Sequence, residues 1–171
     1  VTLVCPDSHT CTLGGLGALA WGIGSTEGEH ALATKTLVVR KPKRMRIRFE
    51  GPLANRVYAK DLILHLISRF GASGGAGYAI EFAGSTIRAL PVEARLTLCN
   101  MAVEAGATSG IVPADAETVR YLREEAGVTV PIGLVSPDAD AAYARVIEVD
   151  ASTLAPQVAC GVFILRNQHA T

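Results

Sequence analysis

VTLVCPDSHTCTLGGLGALAWGIGSTEGE, residues 1–29, carries the pattern that decides the fold class of this chain. The apolar run Val1–Cys5 predicts a buried strand, which Pro6 ends. The polar residues Asp7–Thr10 come next, and then a helix of small residues is predicted to open at Gly14, Gly15 and Gly17. Polar groups between the carboxyl end of a buried strand and a glycine-rich helix start are the usual ligand site of α/β sheets. The stretch therefore predicts an α/β fold with a functional site at Asp7–Thr10.

The residues Asp7, Ser8 and His9 place an acid, a hydroxyl and an imidazole in sequence, which together can support proton transfer and anion binding. We do not expect them to form a Ser-His-Asp triad among themselves, because neighbouring side chains on an extended backbone point in opposite directions. A turn rich in cap-forming residues accounts for the same residue types equally well. The residue types alone leave both interpretations open.

Beyond residue 29 the hydrophobic period alternates between helical and extended, which predicts a mostly parallel sheet. The break at Lys41–Lys43 divides the chain into residues 1–42, residues 43–145, and a following segment or tail over 146–171. We predict helices from a Thr26–Glu29 capping box to about Thr34, over Ala59–Phe70, from Pro91 to Glu104 or Ala105, and over Ala116–Glu125 after an Asp115 cap. We predict strands at Leu37–Val39, Arg44–Glu50, Tyr78–Ala83, Ser109–Val112, Arg145–Asp150 and Val162–Leu165.

Several polar features have ordinary structural explanations. The arginines of Arg44–Glu50 alternate with apolar residues but not with aromatic ones, which favours a solvated sheet face over a nucleic-acid surface. The loop Gly71–Gly77 precedes a strand and has no lysine, so a turn with unusual backbone angles is favoured over a phosphate loop. His65 lies off the apolar stripe of its helix, and we expect it to be exposed.

The predicted helix from Pro91 carries a polar stripe at steps of four, three and four residues, formed by Glu93, Thr97, Asn100 and Glu104. Its spacing alone favours a solvent-facing surface.

Composition limits the classes of function. The 171 residues are 49% apolar and 5% aromatic, and 16 basic residues balance 16 acidic ones. A net charge of zero gives no general attraction to nucleic acid or to an anionic membrane. The cysteines at positions 5, 11, 99 and 160 form no close pair, which favours a reducing cytoplasm over a disulfide framework or a zinc site. Val1 begins inside a predicted strand, so we expect this chain to be a piece of a longer polypeptide.

Several blocks of the chain resemble the aconitase superfamily, and most closely its branch of 3-isopropylmalate dehydratase and homoaconitase large subunits. They are DSHT, GIGSTEGEHALATKTL, AKDLILHLISRFGASGGAGYAIEFAG, RLTLCNMAVEAGA and, more weakly, VIEVDASTLAPQVAC. The blocks follow the family's order from Val1 to about Cys160, which is more specific than a single motif. The resemblance implies a three-layer α/β/α fold comprising parts of two subdomains.

The resemblance also implies a reaction, in which water leaves one carbon of a 2-substituted malate and returns to its neighbour. The substrate expected first is the 3-isopropylmalate of leucine biosynthesis, with homoaconitate as the alternative. In the complete cytoplasmic enzyme a [4Fe-4S] cluster is the Lewis acid for the leaving hydroxyl. A small subunit with a swivelling domain is the expected partner, in a heterodimer or heterotetramer, and neither nucleic acid nor a membrane is expected.

The motifs assign roles to individual residues by the same resemblance. Ser8 is expected to bind a substrate carboxylate, and Asp7 to orient an imidazole. His9 is expected beside the reacting hydroxyl, paired with Glu104, while Asn100 supports the environment of the cluster. A carboxylate beside an imidazole stabilises its charged form, which suits a proton donor near neutral pH.

Departures from the family pattern leave alternatives open. The chain has no C-x-x-C pair, so the cysteine ligands of a cluster are not expected in it, and it is not expected to turn over substrate by itself. A non-catalytic module on the same scaffold is therefore a second hypothesis. An NADP-dependent oxidoreductase is a remote third hypothesis. Gly15-x-Gly17-x-x-Ala20 imitates the dinucleotide fingerprint and Arg40 could bind a 2′-phosphate, but the glycines follow the strand only after nine residues.

Overall fold

The structure, a computed structural model, describes residues 1–159 and the backbone of residues 167–169. The predicted strand at Val162–Leu165 lies outside the described residues. The helices are α1 (Ser25–Thr34), α2 (Ala59–Phe70), α3 (Ser85–Ala89), α4 (Val92–Asn100) and α5 (Ala116–Glu124), with 3-10 helices at Thr10–Leu16, Val103–Ala105 and Ala151–Thr153. The strands are β1 (Thr2–Cys5), β2 (Leu19–Gly22), β3 (Lys43–Glu50), β4 (Tyr78–Ala83), β5 (Ser109–Ile111), β6 (Arg145–Asp150), β7 (Gln157–Ala159) and β8 (Asn167–His169).

The central sheet has four parallel strands in the order β5-β4-β3-β6. Its register places Met45 of β3 between Ile80 of β4 and Arg145 of β6. A second, two-stranded parallel sheet pairs β1 with β2, and β7 pairs with β8 in antiparallel orientation. The α/β fold with mostly parallel sheets that the sequence predicted is confirmed.

The main core lies between the apolar face of this sheet and α2. Met45, Ile47 and Phe49 of β3 alternate with polar residues and are at most 2% exposed, as the period of two requires. From α2, the apolar positions of successive turns pack against them, namely Leu62, Ile63, Leu66 and Ile67. Burial of each such side chain contributes about 1.5–3 kcal/mol, so this interface holds α2 and the sheet together.

The arginine side of β3 is a paired polar surface. The guanidinium of Arg46 donates to a carboxylate oxygen of Glu81 at 2.9 Å and to the hydroxyl of Tyr143, which itself donates to Glu81 at 2.6 Å. Arg48 is exposed and donates to Glu50. The expected solvated face is therefore present at Arg48, whereas Arg46 is half-buried beneath the Tyr143 ring.

Two predictions around α1 were wrong. The helix begins at Ser25, and the carboxylate that caps it belongs to Glu27, which accepts from the Gly24 amide at 2.8 Å. Glu29 of the predicted Thr26–Glu29 box therefore lies further along the helix than expected. Leu37–Val39 is not a strand, because no described strand pairs with it and Val38 is 91% exposed.

The predicted helix from Pro91 to Glu104 or Ala105 is shorter than expected. Pro91 is the N-cap rather than the first helical residue, and α4 ends at Asn100. The chain then tightens into i to i+3 hydrogen bonds through the 3-10 turn Val103–Ala105, which buries Ala102 and ends at Gly106 with a φ of 82°. The sequence pattern did not show where the helix ends, because side chains in a 3-10 turn keep much of the spacing that they have in an α-helix.

The environment of His65 also differs from the expectation. His65 is half-buried rather than exposed, because α2 packs on more than one side and buries Leu64 next to it. At the end of the same helix, Gly71 and Gly77 have φ angles of 77° and 76°, as the predicted turn requires.

The small residues near the N-terminus allow it to dock closely on the central sheet. A Cβ at Gly14 would lie 1.8 Å from the carbonyl oxygen of Gly110, so a larger residue does not fit there. The Gly14 carbonyl accepts from the amide of Val112 at 3.0 Å, and the buried hydroxyl of Ser109 donates to the carbonyl of Ala20 at 2.6 Å. The helix predicted to open at these glycines is instead the 3-10 helix Thr10–Leu16, with Gly17 as its C-cap, and β2 was not predicted.

Candidate active site

The site begins at a tight turn after β1. The carbonyl of Asp7 accepts from the amide of Thr10 at 3.2 Å and from its hydroxyl at 2.7 Å. The carboxylate of Asp7 accepts from the backbone amide of His9 at 2.8 Å. These bonds satisfy the polar groups that the end of the strand leaves free, and they fix the backbone that carries Ser8 and His9.

The side chains of Ser8, His9 and Glu104 form one hydrogen-bonded chain. The hydroxyl oxygen of Ser8 lies 3.0 Å from Nδ1 of His9, and Nε2 of His9 lies 3.1 Å from Oε1 of Glu104. The contact between His9 and Glu104 joins residues that are 95 positions apart in sequence, and it is the contact that the sequence predicted. Both side chains remain about 40% exposed, at 40% for His9 and 42% for Glu104.

The contact between Ser8 and His9 corrects one expectation. Their side chains do not point in opposite directions, because the backbone turns at His9, where φ is −98° and ψ is 20°. When the Ser8 hydroxyl donates to Nδ1, Nε2 carries the hydrogen and donates to Glu104. When the ring is protonated, both nitrogens donate. The hydroxyl–imidazole–carboxylate chain can therefore hold a proton at the imidazole and return it to a bound molecule.

A second hydrogen-bonded path connects the same turn to the end of α4. Asn100 donates from Nδ2 to the hydroxyl oxygen of Thr12 at 2.9 Å, and that hydroxyl donates to the carbonyl of His9 at 2.6 Å. The thiol of Cys11 contacts the carbonyl of Asn100 at 3.6 Å. Thr12 was missed by sequence reasoning, because a threonine in a short turn carries no signal of its own. The two paths bring Asn100 and Glu104 to the turn that carries His9.

The cysteines of this region do not fit an iron–sulfur cluster as ligands. Cys5 is exposed, whereas Cys11 and Cys99 are buried, and burial raises the pKa of both buried thiols. A cluster needs thiolates, which this burial disfavours. Residues 1–159 contain no group of three histidine, cysteine or acidic side chains that could hold a metal ion.

None of the described helices combines the length and the apolar composition that crossing a membrane requires.

Known proteins match nearly the whole chain. Residues 1–164 match the model of the aconitase family (aconitate hydratase). The chain is 50% identical over 169 residues to the 3-isopropylmalate dehydratase large subunit 1 of Bradyrhizobium diazoefficiens. That match covers 93% of this chain and 35% of the relative, so the chain spans about a third of the length of the curated relative that it matches. The family match covers far more than half of the residues, and this chain belongs to the aconitase family.

Proposed function

We propose that this chain is part of the large subunit of a hydro-lyase that isomerises a 2-substituted malate by removing and restoring water. The relative at 50% identity is named a 3-isopropylmalate dehydratase large subunit, which supports 3-isopropylmalate as the substrate ahead of homoaconitate. The observation that carries the proposal is the 3.1 Å contact between Nε2 of His9 and Oε1 of Glu104. It gives the site a proton donor with a fixed acidic partner.

In this proposal His9 gives a proton to the hydroxyl that leaves the substrate. Elimination needs a proton at the leaving oxygen, because hydroxide is a poor leaving group and water is a better one. Glu104 contacts Nε2 of His9 at 3.1 Å and keeps the imidazole ring facing the same direction through the reaction cycle. Both side chains are about 40% exposed, so a substrate can reach them from solvent.

The neighbouring residues have supporting roles. In this proposal Ser8 binds a substrate carboxylate, which is supported by a hydroxyl that can donate to that oxygen when the histidine nitrogen beside it carries a hydrogen. Asp7 holds the turn through the amide of His9, and its role in orienting an imidazole stays a prediction from the family resemblance. Asn100 reaches the same turn through Thr12, which fits a role in the environment of the cofactor.

The proposal includes partners outside this chain. Members of the aconitase family generally bind a [4Fe-4S] cluster, which supplies Lewis-acid chemistry at the hydroxyl when bound. Its ligands would come from cysteines other than those described here, which do not fit the role. The word "large subunit" in the relative's name supports a small-subunit partner, and we place the assembly in the cytoplasm, which the cysteine spacing favours.

The test uses the complete gene product, assembled with the small subunit and reconstituted with iron and sulfide without oxygen. Turnover of 3-isopropylmalate and of homocitrate is measured in parallel. Changing His9 to Asn or Glu104 to Gln is expected to lower kcat by about 100-fold or more, the usual contribution of a positioned proton donor. Glu125→Gln, at an exposed carboxylate after α5, is the matched control and should leave kcat unchanged.

Two outcomes would reject the proposal. Wild-type levels of turnover in Glu104→Gln would remove the functional meaning of the contact. Absence of dehydratase activity in an assembly with a full complement of iron and sulfide would favour the non-catalytic module instead.

A further inference from the structure

The hydroxyl of Thr12 contacts both segments of the proposed site. It donates to the carbonyl of His9 at 2.6 Å, three residues earlier in the sequence, and it accepts from Nδ2 of Asn100 at 2.9 Å, 88 residues later. Both Thr12 and Asn100 are half-buried. One hydroxyl therefore joins the backbone of the proposed proton donor to the side chain of the last residue of α4.

Two other threonines make the same local bond without the second contact. The hydroxyl of Thr10 donates to the carbonyl of Asp7 at 2.7 Å, and that of Thr153 donates to the carbonyl of Asp150 at 2.9 Å. A threonine hydroxyl often bonds to a backbone carbonyl three or four residues earlier, and such a bond needs no functional explanation. Neither of these two hydroxyls accepts a hydrogen bond from a described residue, so the bond from Asn100 is what distinguishes Thr12.

The directions of the two bonds fix the orientation of the Asn100 side-chain amide. A hydroxyl has one hydrogen and a carbonyl oxygen can only accept, so the hydrogen of Thr12 is used at His9. The hydroxyl oxygen can then receive only a donor, which means that Asn100 turns Nδ2 rather than Oδ1 toward Thr12. No described residue donates to Oδ1 of Asn100, and this oxygen is left for a bound molecule.

Loss of the hydroxyl would affect Asn100 more than His9. The carbonyl of His9 also accepts from the backbone amide of Thr12 at 3.0 Å, so it keeps a partner when the hydroxyl is removed. The side chain of Asn100 would lose the one hydrogen bond that it makes with a described residue. A variant without the hydroxyl therefore releases the Asn100 amide while the backbone of the turn keeps its own bond.

We propose that Thr12 is a positioning residue of the active site, which acts by holding the side-chain amide of Asn100 in one orientation. This inference rests on the proposed function, because it assumes that Asn100 takes part in the reaction of the complete enzyme. It assigns to the 3-10 helix Thr10–Leu16 a role in arranging the site as well as in docking the N-terminal residues.

The first test compares three variants of the complete enzyme assembled with its small subunit. Thr12→Val keeps the shape of the side chain and removes the hydroxyl, and it should lower kcat by about 3- to 10-fold, the range of one hydrogen bond. Thr12→Ser restores the hydroxyl and should recover most of that loss. Thr153→Val is the matched control, because it removes the same kind of local bond at an exposed residue, and it should keep the wild-type kcat.

A double-variant comparison separates positioning from a general loss of structure. Asn100→Ala removes the amide that Thr12 holds, and adding Thr12→Val to it should change kcat by less than about 2-fold, because the two residues act through one interaction. If Thr12 only maintained the turn, its full 3- to 10-fold effect would appear again in the Asn100→Ala background. That result would overturn the inference.

A measurement that needs neither turnover nor cofactor tests the orientation itself. Asparagine residues of the complete large subunit are labelled with nitrogen-15, and the exchange of their side-chain amide hydrogens with water is measured by NMR. Exchange should be slower at Asn100 than at the exposed Asn55 in wild type and in Thr12→Ser, and equally fast at both in Thr12→Val. Fast exchange at Asn100 in wild type would overturn the inference even if Thr12→Val failed to fold.

The outcomes distinguish this inference from the proposed function. If Glu104→Gln abolishes turnover while Thr12→Val keeps the wild-type kcat, the positioning role alone is rejected. If Glu104→Gln keeps full activity, the proposed function is rejected. Slow exchange at Asn100 that depends on the Thr12 hydroxyl would in that case still support the fixed orientation of the amide.

Discussion

Replacing Asp115 with alanine would leave Arg95, the most deeply buried charged side chain among the described residues, without its counterion. The side chain of Arg95 is 0% exposed, and its guanidinium donates to the carbonyls of Leu90 at 3.0 Å and Arg88 at 3.1 Å. Its third contact is the carboxylate of Asp115 at 2.8 Å. Burial alone would raise the pKa of Asp115, but hydrogen bonds from Arg95 and from two backbone amides of α5 outweigh it and lower that pKa.

The loss of unfolding free energy depends on which member of the ion pair remains buried after the substitution. Removing one partner of a buried ion pair costs about 3–5 kcal/mol, and loss of an N-cap costs about 1 kcal/mol more. Asp115 is 37% exposed, which places Asp115→Ala near the lower end of this sum, at about 4 kcal/mol of unfolding free energy. Arg95→Met should cost less, about 2 kcal/mol, because water can solvate the carboxylate that is left behind.

Urea denaturation measures these values, with fluorescence of the single tryptophan, Trp21, and circular dichroism as two probes. Asp138→Ala, in the exposed connection before β6, is the control and should change stability by less than about 0.5 kcal/mol. The double variant of Arg95 and Asp115 should cost less than the sum of the single ones, because they share one interaction. The reasoning fails if Arg95→Met is the more destabilising single change, or if Asp115→Ala matches the control.

Two further predictions concern pH and close packing. Hydrogen bonds from the amide and hydroxyl of Ser85, together with one from Arg48, lower the pKa of Glu50 to about 2. The extra stability of wild type over Ser85→Ala should therefore be present above about pH 4.5, the ordinary pKa of the carboxyl, and disappear as the pH falls toward 2. Unfolding followed by circular dichroism measures this difference in stability, and a difference that does not change with pH would contradict the prediction. Gly14→Ala should abolish cooperative thermal unfolding of the docked N-terminal residues, because the added Cβ would lie 1.8 Å from the carbonyl oxygen of Gly110. Gly133→Ala is the control and should not have this effect, because a Cβ at Gly133 has no described atom within 4 Å.

The elements that sequence reasoning located correctly are those whose local pattern agrees with their burial. Ala59–Phe70 was predicted with both its bounds, because its apolar positions repeat at helical spacing and Gly71 follows directly. The strand β3 was predicted because Met45, Ile47 and Phe49 alternate with charged residues. In both elements the residues that the pattern assigns to the core are the ones that become buried, so local and tertiary preferences coincide.

Sequence reasoning failed where tertiary contacts decide the outcome. Arg95 interrupts the apolar pattern of its helix, and nothing local indicates that it would be fully buried beside Asp115. Leu37–Val39 has strong strand propensity but finds no described partner strand, and propensity without pairing does not make a strand. Within the candidate site, the family motif located His9 and Glu104, whereas Thr12 emerged only from its contacts with Asn100 and His9.

The contact between His9 and Glu104 is a result of the fold rather than one of its causes. An ion pair with both members about 40% exposed contributes about 0–1 kcal/mol, which is too little to hold together segments 95 residues apart. The two segments are held together by the close approach of Gly14 to the central sheet and by the hydrogen bond from Asn100 to Thr12. Glu104→Gln should therefore keep the stability of wild type while losing turnover, so a loss of activity in that variant reports on the chemistry and not on the folding of the site.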